Sequence, residues 1–182
     1  MRRVLTRPEL RRAKSGRDAF LGQPRRPITV VLDGVAGNYN IGAIFRLCDA
    51  FLVDQLVICG APVELRKRKL VQAAQGTHRW VPWRQRQGAS DAVVEAKAQG
   101  AWVVVAEQTT ASVRPEHLVP VFPATLVLGA EHSGVSAEVV RAADAAVMIP
   151  MLGMANSLNV ATAAAIVLYW LSLRFDQATT RV

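Results

Sequence analysis

An α/β fold, a mostly parallel sheet with helices on both faces, is predicted for this 182-residue chain by three observations. Its apolar runs are short and continuous, without polar alternation, which is the pattern of strands buried on both faces. They alternate with stretches of helical periodicity, as βα units require. Glycines close the first two runs, at Asp33–Gly34 and Gly60, and Gly100 stops a helix.

The elements follow in order. Residues 28–32 (ITVVL) read as a buried strand. Asn40 is expected to cap a helix running to Phe51, with Ile44, Leu47, Cys48 and Phe51 on its apolar face. Residues 55–59 (QLVIC) form a second strand, followed by a basic, mixed region with a turn at Gln75–Gly76 before Trp80–Val81. Residues 91–98 look helical and stop at Gly100. Three further apolar runs, 101–106, 124–128 and 145–149, read as strands, the last two separated by a helix over 136–143. A final helix is expected from Asn156 to Arg174. Ligands of such sheets sit beyond the carboxyl ends of the strands, which directs attention to the loops 33–40, 107–112, 129–135 and 150–157. Residues 27–182 form one domain in this reading, and 1–26 form a basic arm.

Composition narrows the class. A hydrophobic content of 51% and a charged content of 20% describe a folded protein with a real core. Cys48 and Cys59 lie in apolar segments, so reduced thiols and a cytoplasmic location are expected. The N-terminus is basic but has no apolar segment of a signal peptide, and the longest apolar run, 160–171, is too short to span a bilayer. Charge is more informative. Residues 1–86 hold 17 Lys/Arg and 6 Asp/Glu, a balance of +11, whereas 87–182 hold 5 and 8, a balance of −3. The excess gathers in the arm, which includes Arg11 and Arg12, and in a cluster from Arg66, Lys67, Arg68 and Lys69 to Arg86. Such asymmetry points to a polyanion contacted by one half of the chain, the alternative being solvated helix faces.

Three stretches could carry chemistry. In 40–46 (NIGAIFR), Arg46 is stacked over Gly42 one helical turn back and away from the apolar face. A glycine there would open the helix start to a ligand, and an arginine beside it suits an anion. An asparagine cap with a surface pair of Arg46 and Asp49 is the plainer account. In 128–134 (LGAEHSG), Glu131 follows a strand end where a carboxylate has no packing reason, although a helix start would also suit it. The segment is neither a Walker loop nor a Rossmann turn, and it lacks the Gly-x-Ser-x-Gly of hydrolases. In 148–165 (MIPMLGMANSLNVATAAA), Asn156, Ser157 and Asn159 open an otherwise apolar helix and exceed what one cap needs. Polar groups and exposed backbone around a slot at a strand end fit an adenosine-like ligand. His78, His117 and His132 have no metal-ligand spacing, and no metal is expected.

Together the three segments resemble the motifs of the SpoU/TrmH family of SPOUT methyltransferases, in the right order and across about 28–174. The resemblance implies a C-terminal deep trefoil knot and S-adenosylmethionine as cofactor, held near Glu107, Leu128, Gly129, Ile149, Met151, Ser157 and Leu158. It implies methylation of a ribose 2′-hydroxyl in structured RNA by a homodimer, with Asn40, Arg46, Glu131, Ser157 and Asn159 around the reacting group. The GMANSLNV phrase looks most like the tRNA-modifying branch, with ribosomal RNA second and a silent RNA-binding or assembly factor as the rival. Leu52 and Ala161 depart from the family pattern, as packing changes. RNA contacts are expected from Arg11, Arg12, Arg46, Arg66, Lys67, Arg68 and Lys69.

Overall fold

The computed structural model describes residues 3–12, 14 and 16–180. Its strands are β1 (Arg26–Asp33), β2 (Val53–Cys59), β3 (Trp83–Arg86), β4 (Trp102–Ala106), β5 (Ala124–Gly129) and β6 (Ala145–Val147). They form one parallel sheet in the order β3-β2-β1-β5-β4-β6. Chain order thus runs outward from β1 to β3 and then fills the other side, with β1 and β5 meeting at the centre. Asp33, the last residue of β1, lies opposite Cys59 on one side and Gly129 on the other.

The pleat divides the apolar runs between two cores. Val30 and Leu32 join the cluster under α3 (Asn38–Ala50), α4 (Arg68–Ala74) and α7 (Val160–Thr179). Val31, Val57, Val103, Val105 and Val127 point the other way, against α5 (Ala89–Ala98) and α6 (Ala137–Ala142). Burial on both faces is the reason these strands carry no polar alternation. Phe45 of α3 meets Trp83 edge-on at 6.0 Å, which seats the helix over the sheet edge. Asp144 accepts from Lys97 Nζ at 2.6 Å and from the Val103 N–H at 2.8 Å, joining α5, β4 and the start of β6. Two short helices, α1 (Arg7–Arg12) and α2 (Arg17–Leu21), precede the sheet.

Five local expectations change. Helix α3 begins two residues before Asn40, with Gly37 at its cap, so Asn40 lies inside the first turn and its amide is released from capping. The basic stretch contains α4 and β3, which periodicity did not reveal. In α4 only Leu70 and Ala74 are buried, and every residue of β3 is half-buried at the sheet edge. Strand β6 ends at Val147 rather than 149, and α7 starts at Val160 rather than 156. Gly42 does not admit a ligand. A Cβ there would strike the Leu70 carbonyl oxygen and lie 2.9 Å from the Ala73 Cβ, so the glycine lets α3 and α4 cross closely.

Cys48 and Cys59 are buried and unpaired, and burial pushes both thiols up, Cys59 to about 11. Neither is a thiolate at neutral pH, which removes both as nucleophiles. Among the described residues no helix is long and apolar enough to cross a membrane, and no group of three His, Cys, Asp or Glu side chains gathers as a metal site.

Candidate active site

The carboxyl ends of β4, β5 and β6 and the loop from Met148 to Asn159 enclose a cavity of about 300 Å³. Glu107, Leu128, Gly129, Ile149, Met151, Ser157 and Leu158, the seven residues expected to hold a cofactor, all line it. Leu128, Val147, Ile149, Leu158 and Val160 supply apolar walls. Among the described residues, no hydrogen bond occupies the backbone N–H of Ile149, Met151, Ser157 or Leu158. A slot with apolar walls and free backbone donors is what a flat heterocycle with polar edges needs.

At the rim, three side chains from the three motifs converge. The Asn40 Nδ2 donates to Glu131 Oε1 at 2.7 Å. The Asn159 Nδ2 uses its two hydrogens on Asn40 Oδ1 and Glu131 Oε1, both at 3.0 Å. Its Oδ1 accepts from the Ala161 and Thr162 N–H groups at 3.0 and 3.4 Å, capping α7. One asparagine therefore caps the helix and fixes the carboxylate. Asn40 is only 7% exposed, so its amide depends on these partners. Glu131 bonds to the first turn of α3 and to the cap of α7, and the positive ends of both helices favour an anion there.

Ser157 is exposed and lines the cavity two residues before Asn159. Arg46 stands apart from this group. It lies six residues beyond Asn40, about 9 Å along the helix axis and about a third of a turn round it. Its side chain is exposed and has no ion pair among the described residues, because Asp49 instead accepts from Trp80 Nε1 at 2.7 Å.

The basic residues separate into engaged and free. Arg84 and Arg86 pair with Glu95 at 2.6 and 3.3 Å, and the two guanidiniums hold that carboxyl below its usual range. Arg25 donates to the Val53 carbonyl at 2.9 Å, and Arg26 pairs with Asp176 at 3.0 Å. Lys67 pairs with Glu64 at 3.1 Å on the surface. Arg66, Arg68 and Lys69 are exposed at the start of α4 and pair with no carboxylate among the described residues. Arg12 is exposed in α1, whereas the Arg11 side chain lies outside the described residues.

Two residues at the site were not anticipated. Gln108 lines the cavity, and its Nε2 donates to the Asn156 carbonyl at 2.5 Å, lacing the end of β4 to the loop before α7. Its location two residues past a strand end was the available signal. Asp33 accepts from the Ser136 N–H at 2.8 Å; it opens the strand-end loop 33–40, but its residue type there reads equally well as a turn residue.

The profile of the SpoU rRNA Methylase family matches residues 27–169. The chain belongs to that family. Among SpoU relatives, the tRNA (guanosine(18)-2′-O)-methyltransferase of Aquifex aeolicus (strain VF5) is 35% identical over 150 residues, covering 82% of this chain and 70% of the relative. The crystal structure of an A. aeolicus TrmH/SpoU tRNA modifying enzyme superposes with a TM-score of 0.78 at 34% identity, over 88% of this chain and 81% of that one. An AdoMet-bound rRNA methyltransferase from Sinorhizobium meliloti gives a TM-score of 0.73 at 29% identity, over 81% of this chain and 57% of that one. The six-stranded parallel architecture is thus a SpoU architecture.

Proposed function

We propose that this SpoU protein is an S-adenosylmethionine-dependent RNA methyltransferase that modifies a ribose 2′-hydroxyl, with tRNA as its substrate. The observation that carries the reading is the Asn40–Glu131–Asn159 triangle at the rim of the cavity. The likeness to a tRNA 2′-O-methyltransferase and to an AdoMet-bound rRNA methyltransferase supports it. The residues present fit the cofactor. The apolar walls and the free N–H groups of Ile149, Met151 and Leu158 suit an adenosine, and Glu107 and Ser157 offer polar atoms to its sugar and tail. When bound, the cofactor supplies a methyl group already activated by a sulfonium charge.

The chain then has two tasks, holding the hydroxyl in line and receiving its proton. Glu131 Oε1 is saturated by two amide donors, while Oε2 has no partner among the described residues and is left to accept from the ribose hydroxyl. Asn40 and Asn159 keep that carboxylate from turning, and the Ser157 hydroxyl completes the polar rim. Arg46 clamps a phosphate of the RNA, since a guanidinium stays protonated and is a fixed fork for phosphate oxygens. Arg66, Lys67, Arg68 and Lys69 continue the phosphate track, and the basic arm 1–26, with Arg11 and Arg12, extends it, its last residues Arg25 and Arg26 being tied to the domain.

The finer architecture belongs to the same reading. The segment from β5 to α7 forms the deep trefoil knot. Its tightness at Gly129, where a Cβ would strike the Gly134 and Val135 backbone, supports this. Two chains pair through the outer face of α7, where Ile166, Tyr169 and Leu173 are exposed at helical spacing, joined by Leu152 at 95% and Met154 at 99% exposure. Reduced, buried Cys48 and Cys59 support a cytoplasmic location.

The test is a methyl-transfer assay with labelled S-adenosylmethionine and unmodified tRNA or ribosomal RNA, followed by nucleoside separation. A 2′-O-methylated nucleoside from tRNA is expected. Transfer to ribosomal RNA alone would overturn the substrate, and a methylated base would overturn the position. No transfer to either RNA, with the cofactor bound, would leave a silent RNA-binding factor.

A further inference from the structure

We propose that Asp33 is a positioning residue of the methyl-transfer site. It acts from outside the cavity by holding, together with Glu107, the turn that carries Glu131. The inference rests on the proposed reaction and adds to it the device that fixes the carboxylate.

Strand β5 lies between β1 and β4, and the turn leaving it is gripped from both sides. Asp33, at the end of β1, accepts from the Ser136 N–H at 2.8 Å. Glu107, just past β4, accepts from the Val135 N–H at 2.9 Å through Oε2, while its Oε1 accepts from the Gln108 N–H at 2.9 Å. Two consecutive amides are therefore drawn apart to carboxylates on opposite neighbouring strands. The turn itself is closed by the Gly134 N–H donating to the Ala130 carbonyl at 2.8 Å. Glu131, His132 and Ser133 at its tip are all exposed, so no apolar burial holds them.

Glycines make the grip tight. A Cβ at Gly129 would strike the Gly134 and Val135 backbone, and a Cβ at Gly134 would strike the Glu107 carboxylate. Gly134 has φ +65°, a conformation natural to glycine. The Ser136 side chain makes no capping bond, so the group serving this helix start comes from another strand. Hydrogen bonds from backbone amides to a carboxylate are among the stronger ones. Glu107 lines the cavity and Asp33 does not, which separates the two in function. Loss of Asp33 frees one side of the turn, and Glu131 then loses its register with Asn40 and Asn159.

The experiment uses the full chain with Asp33→Ala, Asp33→Asn and Ser136→Pro. The last removes the donated N–H at a residue whose φ of −58° already suits proline. Methyl-transfer kinetics, calorimetric affinity for S-adenosylhomocysteine and amide exchange over 130–137 are measured. Asp33→Ala and Ser136→Pro should lower kcat by about 10- to 100-fold, the cost of a misplaced catalytic group. Cofactor-product affinity should fall by much less than kcat, because Ala130, Glu131 and Gly134 of this turn form only one side of the cavity wall. Asp33→Asn keeps an acceptor oxygen and should recover most of the rate. In a Glu131→Gln background Asp33→Ala should cost nothing further.

A rate loss that multiplies with that of Glu131→Gln, or one matched by equal loss of cofactor-product affinity, would overturn the proposal. So would unchanged exchange and rate in both Asp33→Ala and Ser136→Pro. Absence of transfer by the unaltered chain would instead refute the proposed reaction. Faster exchange at 130–136 in Asp33→Ala would then still separate the holding role from it.

Discussion

Replacing Gly42 with alanine is expected to destabilise the protein, although alanine is the better helix former. Two opposing effects set the size. Ala in place of Gly within a helix contributes about 1 kcal/mol through reduced backbone entropy. Against it, the added Cβ would overlap the Leu70 carbonyl oxygen, lie 2.9 Å from the Ala73 Cβ and lie 3.1 Å from the Ala74 nitrogen. Two of these three atoms are backbone inside α4, so no side chain can swing away and the helix must shift as a unit. Overpacking of that kind costs about 3 kcal/mol, the upper part of its usual range. The net is about 2 kcal/mol of lost stability, and at this chain length a fall in Tm of about 4–8 °C. Urea unfolding followed by circular dichroism should show a lower midpoint with an unchanged slope. An unchanged or raised Tm would refute the close crossing of α3 and α4. Intact stability with lost RNA binding would restore Gly42 as a residue facing a ligand.

Other expectations concern separate parts of the molecule. Arg46→Lys should retain measurable methyl transfer and Arg46→Ala should lose nearly all of it; equal, complete loss in both with RNA binding intact would favour a specific guanidine base. Arg66→Ala, Arg68→Ala and Lys69→Ala should each weaken RNA binding and reduce the slope of log affinity against log salt by about 1, and an unchanged slope would exclude that residue from phosphate contact. Gln108→Ala should weaken binding of the cofactor product by about 2- to 10-fold in calorimetry, the loss of one neutral hydrogen bond to the Asn156 loop. For Asp144, burial alone would raise the pKa, but the Lys97 ammonium and the Val103 N–H outweigh it and hold the group below its ordinary value. Its contribution to stability is therefore complete above about pH 4 and is lost as pH falls through the depressed folded value. Asp144→Asn should lower the urea midpoint at neutral pH and flatten its decline in acid; an unchanged acid limb would remove this pair from acid unfolding.

The sheet was legible because parallel strands buried on both faces are nearly continuous apolar runs, as in Val30, Val31 and Leu32, which serve two different cores. The carboxyl-end rule likewise identified the loops 107–112, 129–135 and 150–157, because strand direction fixes which loops face the ligand side. Helix α4 and strand β3 were not legible. Seven residues with two buried side chains, and four half-buried edge residues including Arg84 and Arg86, leave too little period to read. Arg84 and Arg86 entered the basic cluster as free charges, and only folding brought Glu95 against both.

By itself, then, the sequence determined the layer architecture, the family and the residue types around the cavity, because burial and motif spacing are recorded along the chain. Only the tertiary structure decided which partners the polar residues meet. Asn40 reads as a cap, yet its partner Glu131 lies 91 residues away. Gly42 reads as an opening, yet α4 fills it. Asp33 reads as the end of a strand, yet it holds an amide 103 residues further on. Local spacing cannot encode such pairings, since they exist only once the sheet has set β1, β5 and β4 side by side.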